Sequence, residues 1–273
     1  MAATESRRPT ALVTGASRGV GKGIALALAR HGYDVAITAR TVHEGTGIDK
    51  ETGAALPGSL DTTAALIVEA GGRAVPVAMD LLQLDTLEAS VDRAIDGLGG
   101  QLDMIVNNAI YAGGGNDGRL LDSSVEDLVN RVTGNLTAQL IITRHAVRAM
   151  LGNPVAANGL RGTVIDITSS AGQHTPKKPA GEGGYSMSYA ATKAGFHRIA
   201  DMLMVEYGDQ GIRAINICPG FVATEKVLAN DRLAYIAKRG ATPDDVGECV
   251  MSVIDDSSLA NGSFVLAQDY LTN

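Results

Sequence analysis

The chain of 273 residues has only two cysteines, Cys218 and Cys249, set in separate segments with no second Cys or His at ligand spacing. Neither a disulfide framework nor a metal site is therefore expected; two buried thiols in a reducing compartment are. Basic charge is also scarce, with 23 Lys and Arg against 30 Asp and Glu and a formal net charge of -7. A phosphate backbone needs clustered cations, so nucleic acid is not an expected partner. No apolar run is long enough to span a bilayer, and Arg7 and Arg8 have no apolar stretch behind them to make a signal peptide. The expectation is a soluble, cytoplasmic protein with no membrane partner. Internal repeats, low-complexity tracts and linkers are absent too. Residues 1–273 thus read as one domain, with 1–9 expected to be disordered.

What is present is a rhythm of short β-rich runs alternating with longer helical ones, which is what βαβ units joined into a parallel sheet produce. Seven strands are expected at Ala11–Thr14, Asp34–Ala39, Ala74–Met79, Leu102–Asn107, Thr163–Thr168, Ile212–Cys218 and Ser263–Ala267. Helices are expected to begin near Gly19, Ser59, Leu84, Ser123, Ser188 and Pro243. Ser59 and Thr242 have the chemistry of N-caps, and Gly32 and Gly71 that of C-terminal stops. Pro76 would remove a ladder donor from the third strand, which places that strand at a sheet edge. In a doubly wound sheet of order 3-2-1-4-5-6, strand three is an edge. Gly113–Gly115 and Gly181–Gly184 mark flexible loops.

Thr14-Gly15-Ala16-Ser17-Arg18-Gly19-Val20-Gly21 follows the first strand and opens the first helix. Its glycines can bring backbone N–H groups up to a pyrophosphate at a helix N-terminus. Tight strand-to-helix turns also use glycine for conformational reasons alone, so the context carries the reading. The expectation is a dinucleotide-binding Rossmann domain with helices on both faces of the sheet. The second strand ends Ala39-Arg40, with no carboxylate to hold an adenosine ribose, and Arg18 adds a second cation. An Arg fork suits a 2'-phosphate, which favours NADP(H) over NAD(H).

Tyr189 and Lys193 stand at i and i+4 on one helix face. A cation beside a phenol stabilises the phenolate and moves the group toward working pH as an acid or base. Such a pair is also how a Tyr packs under a Lys stem, so its weight depends on its company. That company comprises Thr14 to Gly21, Asp80 ending strand three, Asn107-Asn108-Ala109 ending strand four, Ser169 with Tyr189 and Lys193, and Pro219 to Thr224 after strand six. On these segments the chain resembles the short-chain dehydrogenase/reductase family from Ala11 to about Ala267.

The resemblance implies hydride transfer between nicotinamide and a carbonyl or secondary alcohol carbon of a small-molecule substrate. It makes Tyr189 the general acid in reduction and the base in oxidation. Lys193 would bind the nicotinamide ribose and depress the Tyr189 pKa. Ser169, with Ser170 as the lesser candidate, would hold the substrate oxygen, and Asn135 would order a water leading from Lys193 to solvent. The implied cofactor surface runs through Thr14, Gly15, Ser17, Arg18, Gly19, Val20, Gly21 and Arg40. It continues through Asp80 and Leu81 at the adenine, Asn107 and Ala109 at the strand end, Tyr189 and Lys193, then Pro219, Gly220, Val222 and Thr224. Plainer roles exist for several: a strand-end cap for Ser169, a turn former for Asp80, a loop tie for Asn107.

The chain departs from the family pattern at Ile110, where Gly is common, so the loop near Tyr111 is expected to take another course. Thr41–Pro57 is longer than the usual link, and so is the stretch from Ser169 to Tyr189. The stretch from Glu225 to Gly240, often a lid, is short. The loop from Gln173 to Gly184, with Pro176, Pro179, Gly181, Gly183 and Gly184, reads equally as a substrate gate or as a fixed insertion in a subunit contact. Two alternatives stand beside the general reading. One is a 3-oxoacyl-thioester reductase, with Lys177 and Lys178 drawing an anionic carrier. The other is a non-catalytic NADP(H)-binding sensor, which would have no need of Ser169, Tyr189, Lys193 and Asn135 together. Helices Ser123–Met150 and Ser188–Tyr207, with Ala191, Ala194, Gly195 and Ile199, point to a homotetramer, or else a homodimer.

Overall fold

The computed structural model describes residues 7–48, 53–111, 113, 118–228 and 240–271. Seven parallel strands form one sheet in the order β3-β2-β1-β4-β5-β6-β7. They are β1 (Thr10–Thr14), β2 (Asp34–Ala39), β3 (Ala74–Ala78), β4 (Met104–Asn107), β5 (Gly162–Ile167), β6 (Ile212–Cys218) and β7 (Phe264–Leu266). β3 is an edge, and Pro76 lies in it opposite Ile37 of β2, where a missing N–H costs no second ladder. The sequence of β4 had suggested an earlier start at Leu102. Leu102 is buried, but its carbonyl accepts from the Asn153 side chain rather than from a neighbouring strand.

Helices cover both faces. On one lie α1 (Gly19–Arg30), α2 (Leu60–Glu69) and a late helix, α8 (Pro243–Asp255); on the other lie α3 (Leu87–Gly97), α4 (Val125–Val132), α5 (Ala138–Leu151) and α6 (Met187–Tyr207). Two short helices, α7 (Glu225–Leu228) and α9 (Ala267–Leu271), follow β6 and β7. Ser59, Ser124, Ser186 and Thr242 cap α2, α4, α6 and α8 through their hydroxyls, and Asp245 closes a capping box with Thr242. Each such cap is worth about 1 kcal/mol. The strands are apolar almost throughout because both of their faces are covered. Fully buried Ile24, Leu28 and Val250 fill one layer and Ile105, Ile142 and Met150 the other. Each contributes roughly 1.5–3 kcal/mol.

One expectation about the end of the chain changes. Residues 1–6 lie outside the described part, but Arg7 pairs with Asp103 at 2.8 Å and Arg8 with Asp34 at 3.1 Å. Pro9 accepts from the Asp34 N–H at 2.9 Å, so residues 7–9 are held to the sheet rather than disordered. Of Glu225–Gly240 only 225–228 and 240 are described, of Thr41–Pro57 all but 49–52, and of Gly113–Gly115 only Gly113. No helix among the described residues is long and apolar enough to cross a membrane.

Candidate active site

The carboxyl ends of β1, β2 and β3 open on a cleft of about 590 Å³. The glycine turn forms its floor. A Cβ on Gly21 would come within 2.4 Å of the Gly15 carbonyl and 2.5 Å of Asn108 Nδ2, so only bare backbone fits there. Arg18 stands in the N-cap position of α1 and offers no side-chain cap, which leaves the first N–H groups of the helix pointing into the cleft. One of them is taken by a carboxylate from far along the chain: Gly19 N–H donates to Glu225 Oε2 at 2.9 Å, and Lys22 Nζ holds Glu225 Oε1 at 2.7 Å. An anion therefore already sits at this N-terminus, as the helix dipole favours.

Gly15, Ser17, Arg18, Gly19, Val20, Gly21, Arg40, Asp80, Leu81, Ala109 and Thr224 all line the cleft. Thr14 lies beneath it, its hydroxyl accepting from the N–H groups of Asn108 and Ala109 at 3.0 Å each. Arg18 reaches across to the 41–57 segment, donating to the carbonyls of Pro57 and Gly58. Glu44 in the same segment accepts from the Gly58 N–H and the Thr62 hydroxyl. Asp80 caps its own turn by accepting from Leu82 N–H at 3.0 Å, yet still faces the cleft.

Asn107 is elsewhere. It is buried, and its Nδ2 donates to Thr143 Oγ1 and Asp166 Oδ1 at 2.8 Å each, inside the layer between sheet and helices. Asn108, its neighbour, borders the cleft and ties the glycine turn by donating to the Thr14 and Gly15 carbonyls. The alternation of strand side chains explains the exchange: within β4 one residue faces the helices and the next leaves the sheet.

A second cleft, of about 350 Å³, lies at the ends of β5 and β6, and Ser169, Ser170, Tyr189, Pro219 and Gly220 border it. Ser169 follows β5 by one residue and caps the short turn Ser170–Gly172, its hydroxyl accepting from the Ala171 N–H at 3.2 Å. Tyr189 sits in the first turn of α6 because the Ser186 hydroxyl caps its N–H. The Ser169 and Tyr189 side chains border the same cleft, near enough for the serine to act on the phenol. Burial pushes the Tyr189 phenol up; the nearby Ser169 side chain and the charge of Arg131 oppose it. Lys193 is buried one turn further on, and its Nζ donates to the Ile167 carbonyl at 2.9 Å rather than to the phenol. Burial brings Lys193 down to about 8, with the Asp166 carboxylate pulling the other way. The pairing expected to depress Tyr189 is thus absent from this arrangement, and burial dominates.

Asn135 lies in a π-turn, Thr133–Thr137, that joins α4 to α5. Such turns are often found at functional sites. Its Oδ1 accepts from the Tyr111 N–H at 2.6 Å, which fixes the course of the loop after Ile110, while its buried Nδ2 has no partner. Val222 is buried and bridges to Ala241, between Phe221, which borders the second cleft, and Thr224, which lines the first. The long loop before α6 is tied at Ala180–Gly184, by the Tyr185 hydroxyl to the His174 carbonyl, and by Glu182 to Arg119 at 2.6 Å.

Four residues here carry no role that the sequence assigns them. Asn108 stood inside a quoted motif. Arg131, buried one helical turn before Asn135, could have been noticed by spacing. Glu225 and Gln268 reach the clefts through tertiary folding alone.

Fold and clefts together define a protein that holds a dinucleotide across the carboxyl ends of a parallel sheet. The chain matches the model of the short chain dehydrogenase family over residues 9–232, and it belongs to that family of nicotinamide-binding oxidoreductases. It is similar to a 3-oxoacyl-(acyl-carrier-protein) reductase of Synechocystis sp., 30% identical over 254 residues that cover 92% of this chain and 90% of that one. It is 29% identical over 216 residues to glucose 1-dehydrogenase 2 of Bacillus subtilis, covering 79% and 72%. A 3-oxoacyl-(acyl-carrier-protein) reductase from Brucella melitensis, solved in complex with NAD, superposes with a TM-score of 0.75 at 26% identity over 96% of each chain.

Proposed function

We propose that the protein is an NADP(H)-dependent oxidoreductase that moves a hydride between nicotinamide and a carbonyl or secondary alcohol carbon of a small molecule. The observation that carries this reading is Ser169 and Tyr189 bordering one cleft at the same carboxyl end of the sheet as the glycine turn. The residues fit the cofactor: bare backbone at Gly15 and Gly21, an anion seat at Gly19, and Arg18 and Arg40 on one side of the same cleft. Bound cofactor supplies or accepts the hydride. Ser169 holds the substrate oxygen, and Tyr189 gives it a proton in reduction or removes one in oxidation. Burial keeps the phenol protonated near neutral pH, which suits the acid role. In this reading Lys193 turns from the Ile167 carbonyl to the nicotinamide ribose, and Asn135 Nδ2, lacking a partner, takes a relaying water.

A 3-oxoacyl thioester is the second substrate reading, favoured by the similarity to two such reductases and by the exposed Lys177 and Lys178 on the loop before α6. We place the enzyme in the cytoplasm, where its two buried free thiols stay reduced.

Tyr189→Phe keeps the ring and removes the proton. Turnover should fall by roughly 10²–10⁴-fold while NADPH binding survives. Near-normal turnover in that variant, measured by NADPH oxidation across aldehydes, ketones, quinones and oxoacyl thioesters, would remove Tyr189 from the acid role. Calorimetry should give tighter binding of NADPH than of NADH, with Arg40→Asp narrowing or reversing the gap. Equal affinities in the unmutated protein would end the NADP(H) assignment.

A further inference from the structure

The cleft at the ends of β5 and β6 has polar side chains besides Ser169 and Tyr189 that the hydride-transfer reading does not use. Two of them matter here. Thr168, the last residue before Ser169, is 3% exposed and borders the cleft, and its Oγ1 has no hydrogen-bond partner. A buried hydroxyl with nothing to bond costs free energy until something polar meets it. Gln268 enters from α9, close to the C-terminal end of the described chain. Its amide lies against the bare backbone of Gly220: a Cβ there would come 2.2 Å from Nε2 and 3.2 Å from Oε1. A primary amide offers two donors and two lone pairs, so it can serve the protein and a ligand together.

The other side chains on the cleft decide what kind of group these two would meet. Its lining is Ser169, Ser170, Tyr189, Cys218, Pro219, Gly220 and Phe221 besides Thr168 and Gln268, with no Lys, Arg or His among them. A carboxylate brought here would find no cation on the lining itself, whereas a neutral oxygen meets donors of the right strength.

Resting on the reductase reading, we propose that Thr168 and Gln268 form a second polar subsite, specific for substrates in which a neutral oxygen function lies one or two carbons from the reacting carbonyl. The fitting class is the dicarbonyl or hydroxyketone, held at one oxygen by Ser169 and Tyr189 and at the other by Thr168 and Gln268. The subsite contributes selectivity through binding and leaves the proton transfer to Tyr189.

The test is NADPH-oxidation kinetics on butane-2,3-dione and ethyl 3-oxobutanoate against butan-2-one, in the parent, Thr168→Val and Gln268→Leu. Both replacements keep size and remove hydrogen bonding, and Thr168→Val preserves the strand end if Gln268→Leu disturbs α9. Each variant should lower the preference for at least one of the two-oxygen substrates over butan-2-one by roughly three- to tenfold, the worth of one neutral hydrogen bond, mainly through KM. Preferences that stay at the parent's value in both variants overturn the subsite. So does a loss of NADPH affinity, read by fluorescence titration, that accounts for the fall, because it moves the two residues to the cofactor. A parent that turns over none of the three compounds, nor any other carbonyl, overturns the reductase reading and this inference with it.

Discussion

Asp166 is wholly buried, and its neighbours in register on either side are Asn107 of β4 and Asn216 of β6, a polar row crossing three central strands. Asn107 donates to one carboxyl oxygen; the other, together with Asn107 Oδ1 and Asn216 Oδ1, has no donor. Burial pushes the carboxyl up to about 7, against the pull of the Asn107 bond and the Lys193 charge. The consequence for stability has a definite sign. An unfolded chain releases this proton near pH 3.8 and the folded one near 7, so the contribution of Asp166 is present at low pH and lost as pH rises through that window. Asp166→Asn removes the titration. Between pH 5 and 8 the parent should lose stability relative to the variant by at least about 1.4 kcal/mol, the worth of one pKa unit. Parallel melting curves over that range would show that Asp166 stays ionised. Tyr189 and Lys193 were legible in sequence because a four-residue spacing on a helix is local. The state of Asp166 was not, because three strands far apart in the chain create it.

At the scale of elements, the strands were readable almost to the residue, since apolar runs bounded by turn residues have few alternatives. The helix expected over Ser123–Met150 was less so: it is α4 and α5 joined by a π-turn at Thr133–Thr137. One inserted residue in the turn shifts the helical face without changing the apolar pattern, so no periodicity announces it. Packing between α1 and α8 was equally hidden. A Cβ on Gly23 would meet the Pro243 carbonyl oxygen at 2.1 Å and its carbon at 2.4 Å, both backbone atoms at the start of α8. Gly23→Ala should force the two helices apart and cost roughly 1–3 kcal/mol despite the better helix propensity of alanine. Urea unfolding reads this directly, and a variant as stable as the parent would mean that α8 moves freely.

For the whole molecule, the main surface feature is apolar. Leu121 is 96% exposed, and Val125, Val129 and Val132 continue from it along α4 at 76%, 56% and 46%. Met187, Met202 and Val205 are exposed on α6. Patches of this kind mark association surfaces. The small residues that suggested a close approach along α6 divide between two roles: Ala191 and Ala194 are exposed, whereas Ile199 is buried in the chain's own core. We expect a homotetramer, or a homodimer at least, by light scattering at micromolar concentration. Val125→Asp combined with Val129→Lys should reduce the mass, and a monomeric parent would refute the assignment. The molecule also joins its ends in a way that no local pattern foretold. Glu225 is 206 residues from the Gly19 amide it caps. A dinucleotide that takes this amide would enter by exchange, one anion for another, against a competitor tethered to the chain and present at every concentration. Its measured affinity is then a difference between two ligands of the same amide. Displacing the carboxylate would free α7, whose Glu225 and Lys226 line that same dinucleotide cleft.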